Sequence, residues 1–235
     1  MSNSEPLLTA ARSRGAWCLF LGVFLATLAV DLGLKVWSFA NVGDRPVLLL
    51  SSSEDAKALT PEVLHTHFPV FAADPHHPAH NAGILALQPA VTVVPGLLDL
   101  RLTTNTGAVF GLGSGNRSFF IVVSVLALGV IAYLLTRTPA TAWWQVVAYA
   151  LIAAGAIGNL YDRARFGAVR DMLHLLPGVD LPFGLAWPGT GSSEVWPWIF
   201  NPADVALLSG VGLTLLLTLA VEWSQGRASA GKATA

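Results

Sequence analysis

Four long apolar stretches, separated by polar segments, constrain what this sequence can fold into. The hydrocarbon core of a membrane is about 30 Å thick, and about 20 apolar residues of helix cross it. The sequence therefore predicts transmembrane helices at about 16–40, 118–136, 142–161 and 202–221. Charged residues make up 11% of the chain and hydrophobic residues 54%, whereas soluble domains carry about 25% charged residues. We therefore expect an integral membrane protein that is mainly α-helical.

The first stretch has a competing interpretation as a cleaved signal peptide, because Ser38-Phe39-Ala40 resembles a small-x-small cleavage site. The apolar run is long for a signal peptide, however, and Asp31 and Lys35 follow it directly. We therefore predict a retained first span. Asp31 and Lys35 are four residues apart and can pair on one helix face. Such a pair either marks the membrane boundary or supports polar groups inside the helix bundle.

Two long segments between the spans, 41–117 and 172–199, are predicted to be loops on the same side of the membrane. Within the first, Val91–Val94 and Leu98–Thr103 are typical of short strands, and the second of these alternates apolar and polar residues. We expect a small β-sheet at the membrane surface, with its apolar face on lipid headgroups or on substrate. The segment 172–199 is rich in proline and glycine, which favours an irregular loop.

Composition argues against disulfide, metal and nucleic-acid functions. Cys18 is the only cysteine, which excludes an intrachain disulfide, and we expect it to be a buried apolar residue. The loop 51–90 follows a candidate strand at Val47–Leu50 and contains a histidine-rich run from Asp74 to His80. Such a run can bind a metal ion, but its prolines break the helix that would set the ligand spacing, so we predict a solvated loop. The net charge of −1 gives no basic field for nucleic acid.

The distribution of basic residues predicts the orientation in the membrane. Four spans place both termini on the same side, and the basic residues on that side make it cytoplasmic. They are Arg12, Arg14, Arg137, Arg227 and Lys232. Arg163, Arg165 and Arg170 fall on the outer side, against this rule. Charges retained for function explain the exception, and an inverted topology is the alternative.

A polar cluster ends the third apolar stretch. Gly155, Asn159 and Arg163 are spaced four residues apart and share one stripe of a helix, with Asp162 beside it and Asp171 further on. Small residues in the same turns allow a neighbouring helix to approach closely. Charges at the end of a membrane span usually mark function, and the alternative is a surface ion cluster at a packed helix end.

The start of the fourth span carries a second carboxylate. In the run at 200–204, Asn201 fits the N-cap, the proline after it fits the first helical position, and Asp204 fits the third. Antiparallel third and fourth helices would bring Asp171 and Asp204 to the same depth near the outer interface, and Asn105 lies at the mouth of the second span. Two carboxylates in a restricted site can share one proton, so one can activate water while the other protonates a peptide carbonyl.

Four motifs occur in order along the chain, each at or beside a predicted span. They are Asp31-Leu-Gly-Leu-Lys35, Asn105-Thr-Gly-Ala-Val-Phe-Gly111, Gly158-Asn-Leu-Tyr-Asp-Arg163 with Val169-Arg-Asp171, and Phe200-Asn-Pro-Ala-Asp204. In this order they resemble the lipoprotein signal peptidase (signal peptidase II) family, four-span membrane aspartic peptidases of bacteria. The resemblance implies a catalytic pair formed by Asp171 and Asp204. It implies substrate-binding or supporting roles for Asp31, Lys35, Asn105, Gly155, Asn159, Asp162, Arg163 and Asn201.

The resemblance also implies an activity and a location. We expect a single peptidase domain over residues 1–235 in the bacterial inner membrane, with its active site near the outer face. It would remove the signal peptide from prolipoproteins, cleaving before a diacylglyceryl-modified cysteine, with no cofactor. The expected partners are these substrates and membrane lipids, and a single chain can hold the whole site, which implies a monomer.

The chain departs from the family pattern at three motif positions and in two loops. Leu32 replaces a glutamine, Arg170 stands where a small apolar residue is usual, and Pro202 replaces an aliphatic residue. Both outer loops, 41–90 and 172–199, are longer than is typical of the family. Because these loops would shape substrate access, substrate preference is the property that the resemblance specifies least.

Helix dipoles suggest which aspartate holds the proton. Asp204, at the positive end of the fourth helix, is favoured in its ionised form. Asp171 lies past a helix C-terminus, where negative charge is less favourable. We hypothesise that Asp171 carries the resting proton and that Asp204 is the base, within a pair that titrates as a coupled unit.

Three other functions fit part of the sequence. A small ion- or proton-coupled transporter would also use charges in the membrane, but four spans without an internal repeat are few for a transporter. A presenilin-type protease is suggested by Tyr161-Asp162, but the sequence lacks Gly-x-Gly-Asp. The third is an inactive family member whose enlarged loops bind partners.

Overall fold

Four helices form most of the structure, a computed structural model that describes residues 8–42, 90–105, 107, 117–188 and 191–233. The helices are α1 (Arg14–Asn41), α2 (Arg117–Arg137), α3 (Trp143–Phe166) and α4 (Pro202–Ala233). All four are long and apolar enough to cross a membrane, which confirms the prediction of four membrane helices. The candidate strand at Val47–Leu50 and the histidine-rich run in the loop 51–90 lie outside the described residues.

Two helices continue beyond the predicted ends of their membrane spans. α3 continues to Phe166 instead of ending near 161, because Asp162 and Arg163 are buried among partners and do not terminate the helix. Gly167 ends it: its φ of 77° is a left-handed conformation, and its N–H donates to the carbonyl oxygen of Arg163 at 3.1 Å. α4 continues beyond the predicted end at 221, to Ala233.

Four antiparallel strands form one small sheet in the order β1-β2-β3-β4. They are β1 (Val91–Val94), β2 (Leu98–Asn105), β3 (Val169–Leu175) and β4 (Ile199–Phe200). The predicted strands β1 and β2 are confirmed. The prediction of an irregular loop over 172–199 is wrong at both ends, where β3 and β4 lie. β3 escaped prediction because its first four residues are all buried, so it shows no alternation of exposed and buried positions.

The chain divides into two compact units, and the prediction of one domain over residues 1–235 stays a prediction. The first unit comprises Met1–Ala29, Val125–Ile157 and Ala203–Ala235, and the second comprises Val30–Ser124 and Gly158–Pro202. The core of the first unit includes Phe20, Ile131, Leu135, Val146 and Tyr149. The core of the second unit includes Phe39, Val42, Leu100, Leu102 and Met172.

Glycines allow α3 and α4 to approach closely within the first unit. A Cβ atom added to Gly155 would clash with the carbonyl oxygen of Ala203 and would lie 3.0 Å from Leu207. A Cβ atom added to Gly210 would lie 2.6 Å from the carbonyl oxygen of Ala148. Because the earlier glycine faces the start of α4 and the later one faces the start of α3, the two helices are antiparallel here.

Cys18 is exposed on α1, so the prediction that it is buried is wrong. Large apolar side chains on the same and other helices are also exposed, including Leu25, Leu126 and Leu216. A helix that crosses a membrane is apolar both where it packs and where it faces lipid. Residue type alone therefore could not assign Cys18 to either surface.

Candidate active site

Lys35 is the centre of a buried polar network in the second unit. Its Nζ lies 2.9 Å from Asp31 Oδ2 on the same helix, and the two side chains are 0% and 1% exposed. Lys35 Nζ also donates to Asn159 Oδ1 at 3.1 Å and lies 3.3 Å from Asp162 Oδ2, both on α3. The Asp31–Lys35 pair therefore supports polar groups of a neighbouring helix, the second of the two roles considered for it.

Asn201 connects this network to Asp171. Its Nδ2 donates to Asn159 Oδ1 at 3.2 Å and to Asp171 Oδ1 at 2.5 Å. Asn201 is fully buried and Asp171 is 1% exposed. Asn159 Oδ1 thus accepts hydrogen bonds from both Lys35 and Asn201, and the three residues join α1, α3 and the position before α4 to strand β3.

Asp162 is held by a residue that the sequence did not identify as part of the site. Arg170 donates to it three times: its backbone N to Oδ2 at 3.0 Å, and its Nε and Nη2 to Oδ1 at 3.1 and 2.7 Å. Both residues are buried. The available signal was the departure from the family pattern at Arg170, an opposite charge eight residues after Asp162.

These contacts close into a ring, called here the Asp171 ring. From Asp171 Oδ1 it runs through the side chains of Asn201, Asn159, Lys35 and Asp162 to the backbone N of Arg170, which directly precedes Asp171. A buried polar network whose members have partners is rigid. The ring therefore fixes both the backbone and the side chain of Asp171.

Buried charges of both signs lie in and beside the Asp171 ring. The basic groups of Lys35 and Arg170 face the carboxylates of Asp31 and Asp162 at 2.7–3.3 Å. Buried charges are tolerated when they are paired and hydrogen-bonded. Within the residues that the structure describes, no group of three or more histidine, cysteine, aspartate or glutamate side chains could hold a metal ion.

Arg163 and Asn105 are linked through the segment that precedes α2. Arg163 Nη2 donates to the carbonyl oxygen of Gly107 at 2.9 Å, and the Gly107 N–H donates to Asn105 Oδ1 at 2.9 Å. The Arg163 guanidinium lies over the ring of Phe120, 4.7 Å from its centroid. The end of β2, the start of α2 and α3 are therefore held together by these predicted residues.

The two remaining predicted residues belong to the first unit. Gly155 packs against Ala203 and Leu207, as described above. Asp204 is half-buried in the first turn of α4, which begins at the residue after Asn201, as predicted. Asp171 lies inside β3, so the argument that a helix C-terminus disfavours its negative charge does not apply, because that effect falls off within the last turn.

Comparison with known proteins gives a consistent result. A family model described as signal peptidase (SPase) II matches residues 76–220. The lipoprotein signal peptidase of Desulfitobacterium hafniense (strain DSM 10664 / DCB-2) is 33% identical over 137 residues, which cover 58% of this chain and 79% of that protein. The lipoprotein signal peptidase of Deinococcus radiodurans is 36% identical over 144 residues, which cover 60% of this chain and 69% of that protein.

A solved structure has the same fold. It is a bacterial membrane enzyme determined by the in meso method at 1.9 Å resolution, with a TM-score of 0.54 and 21% sequence identity. The match covers 86% of this chain and 93% of that one. Four membrane helices, a small antiparallel sheet and a family model that spans more than half of the sequence therefore agree, and the chain belongs to the signal peptidase II family.

Proposed function

We propose that this chain removes the signal peptide from prolipoproteins by aspartic peptidase chemistry, with Asp171 and Asp204 as the catalytic pair. Family membership and relatives named lipoprotein signal peptidase support the activity. The hydrogen bond from Asn201 to Asp171 is the observation that carries the pairing. Asp204 follows Asn201 by three residues, in the first turn of α4.

The first chemical step divides the work between the two carboxyl groups. Asp204 is the ionised member, since the N-terminal turn of a helix favours negative charge, and Asp171 holds the proton that the pair shares. Asp204 accepts a proton from water as the water oxygen bonds to the scissile carbonyl carbon. Asp171 gives its proton to the carbonyl oxygen, which yields a tetrahedral diol.

The second step reverses these roles. The carbon–nitrogen bond breaks, and the departing nitrogen takes the proton that Asp204 received. One hydroxyl of the diol returns its proton to Asp171 as the new carboxyl group forms. The products are the signal peptide and a lipoprotein with a free N-terminal amine, and both aspartates regain their starting states.

The Asp171 ring prepares Asp171 for the acid role. Because the Asn201 amide donates to Oδ1, that oxygen serves as an acceptor, and the transferable proton belongs on Oδ2. A network that holds the acid in one orientation before substrate arrives lowers the cost of reaching the transition state. The ring's members are buried, so water does not compete for these hydrogen bonds.

The substrate and the setting follow from the same proposal. The bond cleaved is the one before a diacylglyceryl-modified cysteine, whose apolar signal peptide and lipid suit an enzyme built of membrane helices. Both termini are cytoplasmic and the site lies near the outer face, as the basic residues of the termini and of the turn after α2 favour.

One chain acts as a monomer. A transporter is not favoured, because the matching family and relatives are peptidases.

Incubation of the purified chain with a diacylglyceryl-modified prolipoprotein tests the proposal. Mass spectrometry should show cleavage at the bond before the lipidated cysteine, whereas the same precursor without the lipid should remain uncut. Folded enzyme that leaves the lipidated precursor intact, or cuts it elsewhere, would contradict the proposal. Ion flux through vesicles containing the protein would instead favour the transporter.

A further inference from the structure

Arg170 contributes its backbone N–H to the Asp171 ring, and its buried guanidinium has no part in the proposed chemical steps. It is 4% exposed and sits next to Asp171 in β3. Burying an arginine is costly unless it is paired, and its pairing with Asp162 uses both side-chain and backbone donors. These contacts fix the position of the Arg170 side chain relative to Asp162.

Neighbouring residues of a strand point to opposite sides of the sheet. The side chains of Arg170 and Asp171 therefore contact different parts of the Asp171 ring. Arg170 reaches Asp162 on α3, and Asp171 reaches Asn201 before α4. The Arg170 guanidinium lies over the ring of Phe166, 4.7 Å from its centroid. This contact keeps water from one face of the guanidinium and restricts its orientation.

The guanidinium also sets the orientation of the Asp162 carboxylate. Two of its nitrogens hold Oδ1, so that Oδ2 is turned toward Lys35 Nζ at 3.3 Å and the Arg170 backbone N at 3.0 Å. Oδ2 is the atom that closes the ring. With a small apolar side chain at 170, Lys35 and the backbone N–H would remain, but Oδ1 would lose both guanidinium hydrogen bonds.

Arg170 further balances the charge around Asp171. Among the contacts that the structure describes for the ring, the charged side chains are Asp31 and Lys35 from α1, Asp162 from α3 and Arg170 itself, and Asn201 before α4 is neutral. Two acids and two bases sum to zero. Without Arg170 the same set carries one net negative charge, which makes it less favourable for Asp171 to give up its proton to the carbonyl oxygen.

We propose that Arg170 is a positioning residue for peptide cleavage, which orients Asp162 and neutralises the buried cluster so that Asp171 is held ready for catalysis. The inference rests on the proposed catalytic role of Asp171.

Two substitutions separate geometry from charge. Arg170→Met removes both the charge and the side-chain hydrogen bonds. Arg170→Lys keeps the charge but cannot donate from two nitrogens to Asp162 Oδ1. Arg165→Met is the matched control: Arg165 is exposed near the end of α3, and its guanidinium also lies over Phe166, at 5.6 Å. Each variant is purified as the full chain and assayed on the lipidated prolipoprotein, with kcat expressed per folded enzyme.

For Arg170→Met we expect kcat to fall about tenfold or more with KM little changed, since small misplacements of catalytic groups reduce rates by up to about a hundredfold. The basic limb of its kcat/KM profile, where Asp171 loses its proton, should move to higher pH. Arg170→Lys should keep the wild-type pH profile with a reduced kcat, and Arg165→Met should match wild type in both.

Several outcomes would overturn the inference. Wild-type kcat and pH profile in folded Arg170→Met would do so, as would a lower melting temperature with unchanged kinetics, which is the result of a purely structural role. If Arg170→Met does not fold, Arg170→Lys decides: wild-type kcat in that variant contradicts the positioning role. An active Asp171→Asn variant, in contrast, would refute the proposed function itself, which keeps the two failures distinct.

Discussion

Lys35 is the residue on which the buried network depends most, because it contacts Asp31, Asn159 and Asp162 together. Lys35→Met leaves two buried carboxylates with one cation fewer. We expect this to lower the free energy of unfolding by about 3–5 kcal/mol, the range measured when one partner of a buried ion pair is removed. Denaturant unfolding of the protein in detergent measures the change.

Arg14→Met is the control for this substitution, since Arg14 is exposed at the start of α1 and the same charge is removed. It should leave the free energy of unfolding nearly unchanged, as surface substitutions usually do. Equal effects of the two variants would mean that the Lys35 contacts contribute no more than an exposed charge does.

Asn201 provides a separate test of how Asp171 is oriented. Asn201→Ala removes the donor to Asp171 Oδ1 and to Asn159 Oδ1. We expect kcat on the lipidated prolipoprotein to fall roughly tenfold to a hundredfold, with a smaller change in KM. Asn41→Ala is the matched control, because Asn41 is exposed and donates only to the carbonyl oxygen of Trp37 among the contacts described for it. Unchanged kcat in Asn201→Ala would contradict the role of this hydrogen bond.

The sequence could predict only part of this network. A spacing of four residues predicts the Asp31–Lys35 pair, because that geometry belongs to a single helix. The contact from Lys35 to Asn159 depends on which helices pack and at what rotation, which no local pattern encodes. In the sequence, Arg170 stands out only as an unusual charge. Its contact with Asp162 depends on β3 lying beside the end of α3, which no local pattern predicts.

Helices and strands could be predicted from the sequence where the signal lies within a short segment, and not where it depends on long-range packing. Apolar length predicts the four helices, and alternation predicts β2, because both are properties of a short segment. β3 lacked that signal, since Val169, Arg170, Asp171 and Met172 are all buried. α3 continues past the predicted end of its span, because charges in a membrane helix are compatible with continuation when they have buried partners.

The contact between α3 and α4 is tested by Gly155. Gly155→Ala places a Cβ atom against the carbonyl oxygen of Ala203, a backbone atom that cannot rotate away. We expect a loss of about 1–3 kcal/mol in the free energy of unfolding, the usual cost of overpacking. The change in melting temperature on the purified protein reports it.

Gly212→Ala in α4 is the control, because a Cβ atom there would have no neighbour within 4 Å. It should be neutral or slightly stabilising, since alanine is the better helix former. If both alanine variants melt at the wild-type temperature, the close approach of the two helices at Gly155 is not required for stability.

The orientation of the whole protein in the membrane can be measured by thiol labelling. Cys18 is the only cysteine, so a Cys18→Ser background accepts single new thiols. We expect Phe183→Cys, at a position 97% exposed in the segment between β3 and β4, to react with a membrane-impermeant reagent in intact spheroplasts. Thr141→Cys, exposed in the turn between α2 and α3, should react only after the membrane is opened. The reverse pattern would establish the inverted topology.

The central claim is that one enzyme site needs the carboxyl groups of both Asp171 and Asp204. Its most direct test compares the cleavage rate of a diacylglyceryl-modified prolipoprotein by wild type, Asp171→Asn, Asp204→Asn and the control Asp180→Asn, an exposed aspartate between β3 and β4. We predict that either of the first two substitutions lowers kcat on the order of 10⁴-fold while the protein stays folded in the membrane, and that Asp180→Asn cleaves as wild type does. Wild-type cleavage by Asp171→Asn or by Asp204→Asn would contradict the account.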